Sequence, residues 1–178
     1  LDKVVDVVKR FGVNDNPNKI YSLVLGSTET TILRLISAYS MMVNGGKKIT
    51  PAMIEKIQDR DGKTIYRRDK RECSRCAVAD MENFDNQKAA EVSAMPFLDE
   101  SRETVIDSAT AYQITSMLQG AVERGTAGRA RSIGKIIGGK TGTTNSSYDS
   151  WFVGFSADLV AAVYVGFDTP KSLGKIET

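Results

Sequence analysis

The 178-residue sequence predicts an α+β fold in which helices precede an antiparallel sheet. Three segments show the apolar spacing of amphipathic helices. The last third holds three short runs rich in β-branched and aromatic residues, joined by connections of a few residues. Such connections force neighbouring strands to run antiparallel, because a parallel crossover needs a dozen residues or more.

Composition narrows the chemistry that the chain can perform. Hydrophobic residues make up 41% and charged residues 26%, as in ordinary soluble proteins. The net charge of +2 is too small to favour nucleic acid or an anionic membrane surface. Because the chain has no histidine, it cannot hold a Ser-His-Asp triad, a Cys-His pair or an H-E-x-x-H zinc site. Any nucleophile would need activation by a lysine, a carboxylate or a metal bound without imidazole.

The first two helices are predicted at residues 1–11 and 30–43. Apolar side chains form one stripe on the first, and Gly12 is expected to end it. Ser27 or Thr28 is the predicted N-cap of the second, which the Asn-Gly-Gly sequence at 44–46 ends.

Residues 53–68 predict a β-hairpin with a two-residue turn at Asp61-Gly62. Periodicity is then lost and charge rises over residues 67–104, which we interpret as a loop-rich excursion. A third helix is predicted to start at Asp107 or Ser108 and to end at Gly125. The predicted strands occupy the runs at 135–144, 149–156 and 159–168.

The segment GKIIGGKTGTT, residues 134–144, fits two motifs at once. Gly134 to Thr141 match G-x-x-x-x-G-K-[ST], the loop that binds nucleotide phosphates. Such a loop opens a helix whose N–H groups face the anion. The residues that follow contain a glycine, β-branched residues and a turn cluster, and no buried strand precedes the segment. We therefore disfavour nucleotide binding.

The alternative places Lys140 to Thr144 on a strand. Thr141 and Thr143 then share one face, while Gly142 points the other way and leaves room for close packing behind the strand. Two hydroxyls and an ammonium suit a substrate carboxylate, at about 1.5–3 kcal/mol per hydrogen bond to a charged group. Backbone N–H groups of the strand can also face an oxyanion. The competing interpretation is an exposed edge strand whose threonines serve only β propensity.

The longer block GKTGTTNSSYDSWFVGFSADLVAAVYVGFD closely resembles the C-terminal strands of the transpeptidase domain in class A penicillin-binding proteins. K-T-G is one of the motifs of this superfamily, beside S-x-x-K. Further blocks resemble the family in the same order, and together they cover the chain except roughly residues 70–104. They are LGSTETTILRLISAYSMMVNGG, PAMIEKIQDRDGKTIY and VIDSATAYQITSMLQGAVERGTAGRA.

The resemblance implies a three-layer α/β/α fold of the β-lactamase and transpeptidase type, with an antiparallel sheet and incomplete in this chain. It implies a serine-type D-Ala-D-Ala transpeptidase that cross-links peptidoglycan stem peptides through an acyl-serine intermediate and is acylated by β-lactams. Lys140 and Thr143 would be catalytic, and the substrate would bind Thr141, Gly142, Thr143 and Thr144. No metal, cofactor or nucleic acid is implied.

The resemblance also implies a setting for the parent protein. That protein would be membrane-anchored through a segment outside this chain, would face the periplasm in the cell envelope, and would also be a glycosyltransferase. Other cell-wall synthesis proteins are further expected partners.

The family's nucleophile lies in S-x-x-K at a helix N-terminus. Ser132–Lys135 and Ser172–Lys175 fit the letters, but neither has a helical pattern around it, and S-x-N does not occur. The first residues show no signal peptide, and the longest apolar run, of nine residues, cannot span a bilayer as a helix, which takes about twenty. We expect this chain to be a section of a larger enzyme and to be inert alone. It is predicted to comprise a helical segment with a hairpin at residues 1–66, a charged loop excursion at 67–104, and a helix with three strands at 105–178.

Two further alternatives stay open. The chain could belong to another serine acyl-transferase, such as a β-lactamase or a monofunctional penicillin-binding protein, or to a non-catalytic envelope module. Cys73 and Cys76 form C-S-R-C, which is half a zinc site; a disulfide, free thiols and a metal are the alternatives. The periplasmic setting that the resemblance implies permits a disulfide.

Overall fold

The computed structural model describes residues 1–71, 73–74, 97–98 and 100–174, and the chain forms two compact units. The first unit comprises Leu1–Pro51 and Glu103–Thr178, and the second comprises Ala52–Arg102. The second unit is therefore inserted, in sequence, between the two parts of the first. The boundaries inferred from sequence at residues 66 and 104 stay predictions.

The described secondary structure follows the predicted order of two helices, a hairpin, a third helix and three strands. The helices are α1 (Asp2–Arg10), α2 (Ile32–Val43) and α3 (Ser108–Arg124), with short 3-10 helices at Tyr21–Leu25, Gly128–Ile133 and Asn145–Ser147. The strands are β1 (Lys56–Gln58), β2 (Thr64–Arg67), β3 (Cys73–Ser74), β4 (Phe97–Leu98), β5 (Gly138–Thr143), β6 (Asp149–Phe155) and β7 (Val160–Gly166).

Helix ends follow local capping chemistry, with one correction to the sequence analysis. Asp107 caps α3 as predicted, because its carboxylate accepts a hydrogen bond from the N–H of Thr110 at 2.9 Å. The prediction of Ser27 or Thr28 as cap of α2 was wrong. Thr31 is the cap, and the hydroxyl of Thr28 instead accepts a hydrogen bond from Asn14. Several hydroxyls precede this helix, so the sequence alone does not select among them.

The core of the first unit lies where α1 ends against α2 and the segment that follows the insertion. Phe11, Ala38, Met41 and Val105 are all buried. The N–H of Val105 donates to the carbonyl of Gly46 at 2.8 Å, which ties the two sides of the insertion together. Gly46 has a φ of +80°, and a Cβ there would lie 2.1 Å from the carbonyl oxygen of Ile106. This close approach requires glycine.

The sheet of the first unit is three-stranded, antiparallel and ordered β5-β6-β7, as the short connections predicted. Val153 and Phe155 of β6 share one face and are buried. Phe155 packs across Gly138, where a Cβ would come within 2.3 Å of its ring. Both α2 and α3 contact this sheet. The sheet therefore presents β5 as one of its two edge strands.

The second unit contains a hairpin of β1 and β2 and the two-residue pairing of β3 with β4. The predicted two-residue turn at Asp61-Gly62 was wrong, because the N–H of Asp59 pairs with the carbonyl of Lys63 and leaves three residues in the loop. The carboxylate of Asp59 accepts bonds from the N–H groups of Asp61 and Lys63 and holds the longer loop.

Four exposed or half-exposed charges form an ion-pair network beside the β3–β4 pairing. Two nitrogens of Arg71 donate hydrogen bonds to the carboxylate of Asp69, and Arg71 lies 4.0 Å from the carboxylate of Glu100. Arg102 donates hydrogen bonds to that carboxylate of Glu100. The hydrogen bonds from Arg102 lower the pKa of Glu100 to about 2. Those from Arg71 lower the pKa of Asp69 as well. The network links the chain before β3 to the chain after β4.

We predict that Arg102→Ala raises the pKa of Glu100 toward its ordinary value, because the hydrogen bonds that stabilise the carboxylate are lost. A ¹³C NMR titration of the glutamate carboxyls, assigned with Glu100→Gln, measures this. Since the folded-state pKa is lowered, the stabilisation is present above pH 4.5 and disappears as the pH falls toward 2. Arg60→Ala is the control, since the ion pair that Arg60 forms among the described residues is with its neighbour Asp61 and not with Glu100. A Glu100 pKa near 2 in Arg102→Ala would contradict the account.

Candidate active site

The segment Lys140 to Thr143 lies extended on β5, paired residue by residue with β6. Lys140 pairs with Val153, and Thr143 pairs with Ser150. No helix begins at Thr141, so the phosphate-loop interpretation fails on the geometry that such a loop needs. Among the described strands, none pairs with the other side of β5.

Which backbone groups of β5 bond to β6, and which face the open edge, follows from which residue pairs between the two strands are hydrogen-bonded. The N–H of Thr144 donates to the carbonyl of Asp149 at 3.1 Å, which makes this pair a hydrogen-bonded one. Hydrogen-bonded and non-bonded pairs alternate along antiparallel strands. Gly142 and Lys140 therefore direct their backbone groups toward β6. Thr141 and Thr143 direct theirs to the open edge.

The side chains of Thr141 and Thr143 share one face of the sheet, as predicted, because they are two residues apart on the strand. The hydroxyl of Thr141 donates to the hydroxyl of Thr126 at 3.1 Å. Thr126 lies two residues after the end of α3 and was not predicted as part of the site. Its position depends on how α3 packs beside β5, which the spacing of residues does not reveal.

Lys140 adds a positive charge at the same edge. Its ammonium is exposed and donates to the carbonyl of Thr141 at 2.9 Å. Because that carbonyl faces the open side of β5, the ammonium lies along the edge rather than over the neighbouring strand. Within the described part of the chain it forms no ion pair with a carboxylate. Its charge is therefore not neutralised by these residues.

The tight packing behind the strand lies earlier than the sequence analysis expected. Among the described residues, a Cβ at Gly142 would meet only the Cβ of Trp151, at an ordinary 3.6 Å, so the expectation of close packing there was wrong. A Cβ at Gly139 would lie 2.8 Å from the carbonyl oxygen of Val153 and 2.9 Å from the ring of Phe152. The ring of Phe152 on β6 makes Gly139 the position that must be glycine. Which glycine of β5 lies against that ring depends on the register of the two strands.

Thr144 lies just beyond β5 and has a structural contact. Its hydroxyl accepts a hydrogen bond from the N–H of Asp149 at 2.8 Å, across the turn between β5 and β6. Its assignment to the substrate-binding residues stays a prediction.

Within the described residues, neither serine of the two S-x-x-K strings lies at the N-terminus of an α-helix. Ser132 lies in a 3-10 helix that ends at Gly134, whose φ is +73°, and its hydroxyl donates to the carbonyl of Arg129. Ser172 lies outside helices and strands, and its hydroxyl donates to the carbonyl of Ser146. Lys175 and Cys76 lie outside the described residues, as does the side chain of Cys73, so the cysteine alternatives stay open.

Neither a metal-binding cluster nor a helix able to span a membrane occurs among the described residues. No three histidine, cysteine, aspartate or glutamate side chains there are grouped so that they could hold a metal ion. None of the helices described is both long and apolar enough to cross a bilayer.

Over nearly its whole length the chain is similar to known proteins. Residues 7–178 match the family model described as penicillin binding protein transpeptidase domain. All 178 residues align with penicillin-binding protein 1A of Rickettsia bellii, strain RML369-C, at 53% identity. The chain spans 22% of that relative's length.

Solved structures agree with this match. A crystal structure of penicillin-binding protein 1A from Haemophilus influenzae superposes with a TM-score of 0.75 and 35% identity, over 98% of this chain and 28% of that one. An imipenem acyl-enzyme complex of penicillin-binding protein A from M. tuberculosis superposes with a TM-score of 0.61, over 93% of this chain and 38% of that one. At 16% identity the second likeness shows the fold alone. The predicted fold class is confirmed.

We predict that Gly139→Ala lowers the free energy of unfolding by roughly 2–3 kcal/mol, because overpacking displaces the backbone and ring of β6. Gly142→Ala is the matched change on the same strand, and we expect less than about 1 kcal/mol, since its Cβ makes an ordinary contact. Thermal unfolding of the intact protein compares the two. Equal losses would show that the packing behind β5 differs from the description above.

Proposed function

We propose, from the premise that this chain belongs to the family of penicillin-binding protein transpeptidase domains, that it is a section of a peptidoglycan D,D-transpeptidase. The observation that carries the proposal is the open edge of β5. It presents two threonine hydroxyls, outward backbone N–H groups and the ammonium of Lys140, which forms no ion pair with a carboxylate among the described residues. This set of groups can bind a peptide that ends in a carboxylate and can stabilise an oxyanion next to it.

Thr141 and Thr143 are the proposed ligands of the terminal carboxylate. Their hydroxyls lie on one face, and the hydroxyl of Thr141 lies 3.1 Å from that of Thr126. When a carboxylate binds, Thr126 would donate to Thr141, which leaves the single proton of the Thr141 hydroxyl for the carboxylate. Hydrogen bonds to a charged group contribute about 1.5–3 kcal/mol each, so two such bonds distinguish a free carboxylate from an internal peptide. The ammonium of Lys140 adds attraction for the same anion.

The N–H of Thr143 is the proposed oxyanion donor. In acyl transfer, a serine hydroxyl of the parent protein adds to the carbonyl carbon of the D-Ala-D-Ala bond, and negative charge develops on the carbonyl oxygen. The C–N bond then breaks, the proton given up by the serine hydroxyl passes to the departing nitrogen, the terminal D-Ala leaves as an amine, and an acyl-serine ester remains. An amine of a second stem peptide attacks this ester, its C–O bond breaks, a proton from the amine returns to the serine oxygen, and the new amide is the cross-link. A β-lactam would enter the same path through its strained amide.

The alternative of a non-catalytic envelope module has less support. An exposed lysine by itself would protect a purely structural edge strand from pairing with another chain. The support for catalysis is therefore the combination of Lys140 with the hydroxyls of Thr141 and Thr143 and the match of residues 7–178 to the transpeptidase family model. Because the chain spans only part of its relatives, the remaining claims concern the parent protein. We propose that it is anchored in the membrane, acts on the periplasmic side of the cell envelope, also carries glycosyltransferase activity and contacts other cell-wall synthesis proteins.

We predict that Lys140→Ala lowers the rate at which a fluorescent penicillin labels the intact parent protein by about 10²–10³-fold, the range for loss of one stabilising group in an acyl-transfer site. Lys135→Ala is the matched control, since Lys135 is also exposed and lies just before β5. It should label at the unaltered rate. Labelling is measured by gel fluorescence against time.

The same assay tests whether the section is inert alone. Residues 1–178 by themselves should remain unlabelled, because the proposed nucleophile lies outside them. Strong covalent labelling of this section would refute that part of the proposal. Equal labelling of the Lys140→Ala and Lys135→Ala proteins would refute the assigned role of the β5 edge.

A further inference from the structure

The turn that follows the proposed substrate strand has an unusual backbone. It joins β5 to β6 immediately after Thr143, and Ser146 and Ser147 within it have φ angles of 60° and 53°. Among the described residues these are the non-glycine positions with positive φ. Serine seldom adopts this conformation, so neighbouring groups must hold the turn.

The chain after β7 supplies two of those groups. The hydroxyl of Ser172 donates to the carbonyl of Ser146 at 2.8 Å, and the N–H of Leu173 donates to the carbonyl of Ser147 at 2.8 Å. Both bonds therefore end on the two residues with positive φ. The N–H of Gly174 donates to the hydroxyl of Ser172 at 3.2 Å and orients it.

Asp149 secures the other end of the turn. Its backbone exchanges hydrogen bonds with Thr144 across the turn, at 3.1 Å to the N–H and 2.8 Å to the hydroxyl. Its carboxylate accepts a hydrogen bond from the hydroxyl of Tyr164 on β7 at 2.9 Å. The ring of Tyr164 lies 4.6 Å from that of Trp151, which fixes it against β6. The turn is thus held from both sides by residues of β7 and the segment after it.

We propose that Ser172, Leu173, Asp149 and Tyr164 form a turn clasp that positions Thr143 for acyl transfer. The inference rests on the proposed function of the β5 edge. An oxyanion donor must lie about 2.7–3.1 Å from the developing charge, so a small shift at the end of β5 weakens it. The clasp residues are positioning residues, since they act through Thr143.

The clasp also gives the Ser172–Lys175 string a role other than that of a nucleophile. Ser172 acts as a hydrogen-bond donor to the backbone of the turn, which needs a hydroxyl but no activation. Threonine can provide the same hydroxyl, whereas alanine cannot.

The test uses the intact parent protein and a fluorescent penicillin in stopped-flow measurements, which separate initial binding from acylation. We expect Ser172→Ala to lower the acylation rate constant roughly 5- to 20-fold, a part of the 10²–10³-fold cost of losing an oxyanion donor outright. The dissociation constant of the initial complex should stay within about twofold, since a positioning role acts in the transition state. Ser172→Thr should retain acylation. Ser132→Ala, at the other S-x-x-K string, should leave it unchanged.

Tyr164→Phe provides a second variant, which removes only the hydroxyl that reaches Asp149 and should slow acylation in the same way. Unaltered acylation in both Ser172→Ala and Tyr164→Phe would overturn the clasp while the proposed function stands. Equal slowing in Ser172→Ala and Ser172→Thr would also overturn it, because the hydroxyl would not be the cause. A parent protein that no penicillin labels would instead refute the proposed function.

Discussion

The alternation of hydrogen-bonded and non-bonded pairs between β5 and β6 determines which backbone groups the open edge of β5 presents. Because Thr144 and Asp149 form a hydrogen-bonded pair, the backbone groups of Thr141 and Thr143 point away from β6. A shift of the register by one residue would turn those groups inward and move both hydroxyls to the opposite face. The proposed carboxylate and oxyanion would then lose the two hydroxyls and the N–H of Thr143, and the open edge would present the N–H groups of Lys140 and Gly142 instead. The chemistry of the site therefore depends on register more than on any single side chain.

The rest of the first unit keeps that register in place. Phe155 fills the space over Gly138, and Phe152 lies against Gly139, so the two bulky rings of β6 fit only beside glycines. The contact between Thr126 and Thr141 fixes the strand to the end of α3. Further away, the bond between Val105 and Gly46 joins the chain before and after the second unit. The rings packed beside glycines and the contact with Thr126 thus hold β5 in position.

The sequence predicted the extended conformation of β5 but not the contacts that other residues make with it. The extended form of Lys140 to Thr143 followed from the β-branched residues and turn cluster after the lysine, and the antiparallel order followed from short connections. Thr126, the tight packing at Gly139 and the bonds from Ser172 to the turn depend on contacts between distant residues. Spacing carries no information about such contacts. The cap of α2 was missed because several hydroxyls compete locally.

A structure of the parent protein acylated by a β-lactam would test the central claim most directly, through the distance between the acyl carbonyl oxygen and the backbone nitrogen of Thr143. The open-edge geometry predicts about 2.7–3.1 Å, with the antibiotic carboxylate within hydrogen-bond reach of the Thr141 and Thr143 hydroxyls. A carbonyl oxygen bound elsewhere, with the N–H of Thr143 directed at β6, would contradict the account.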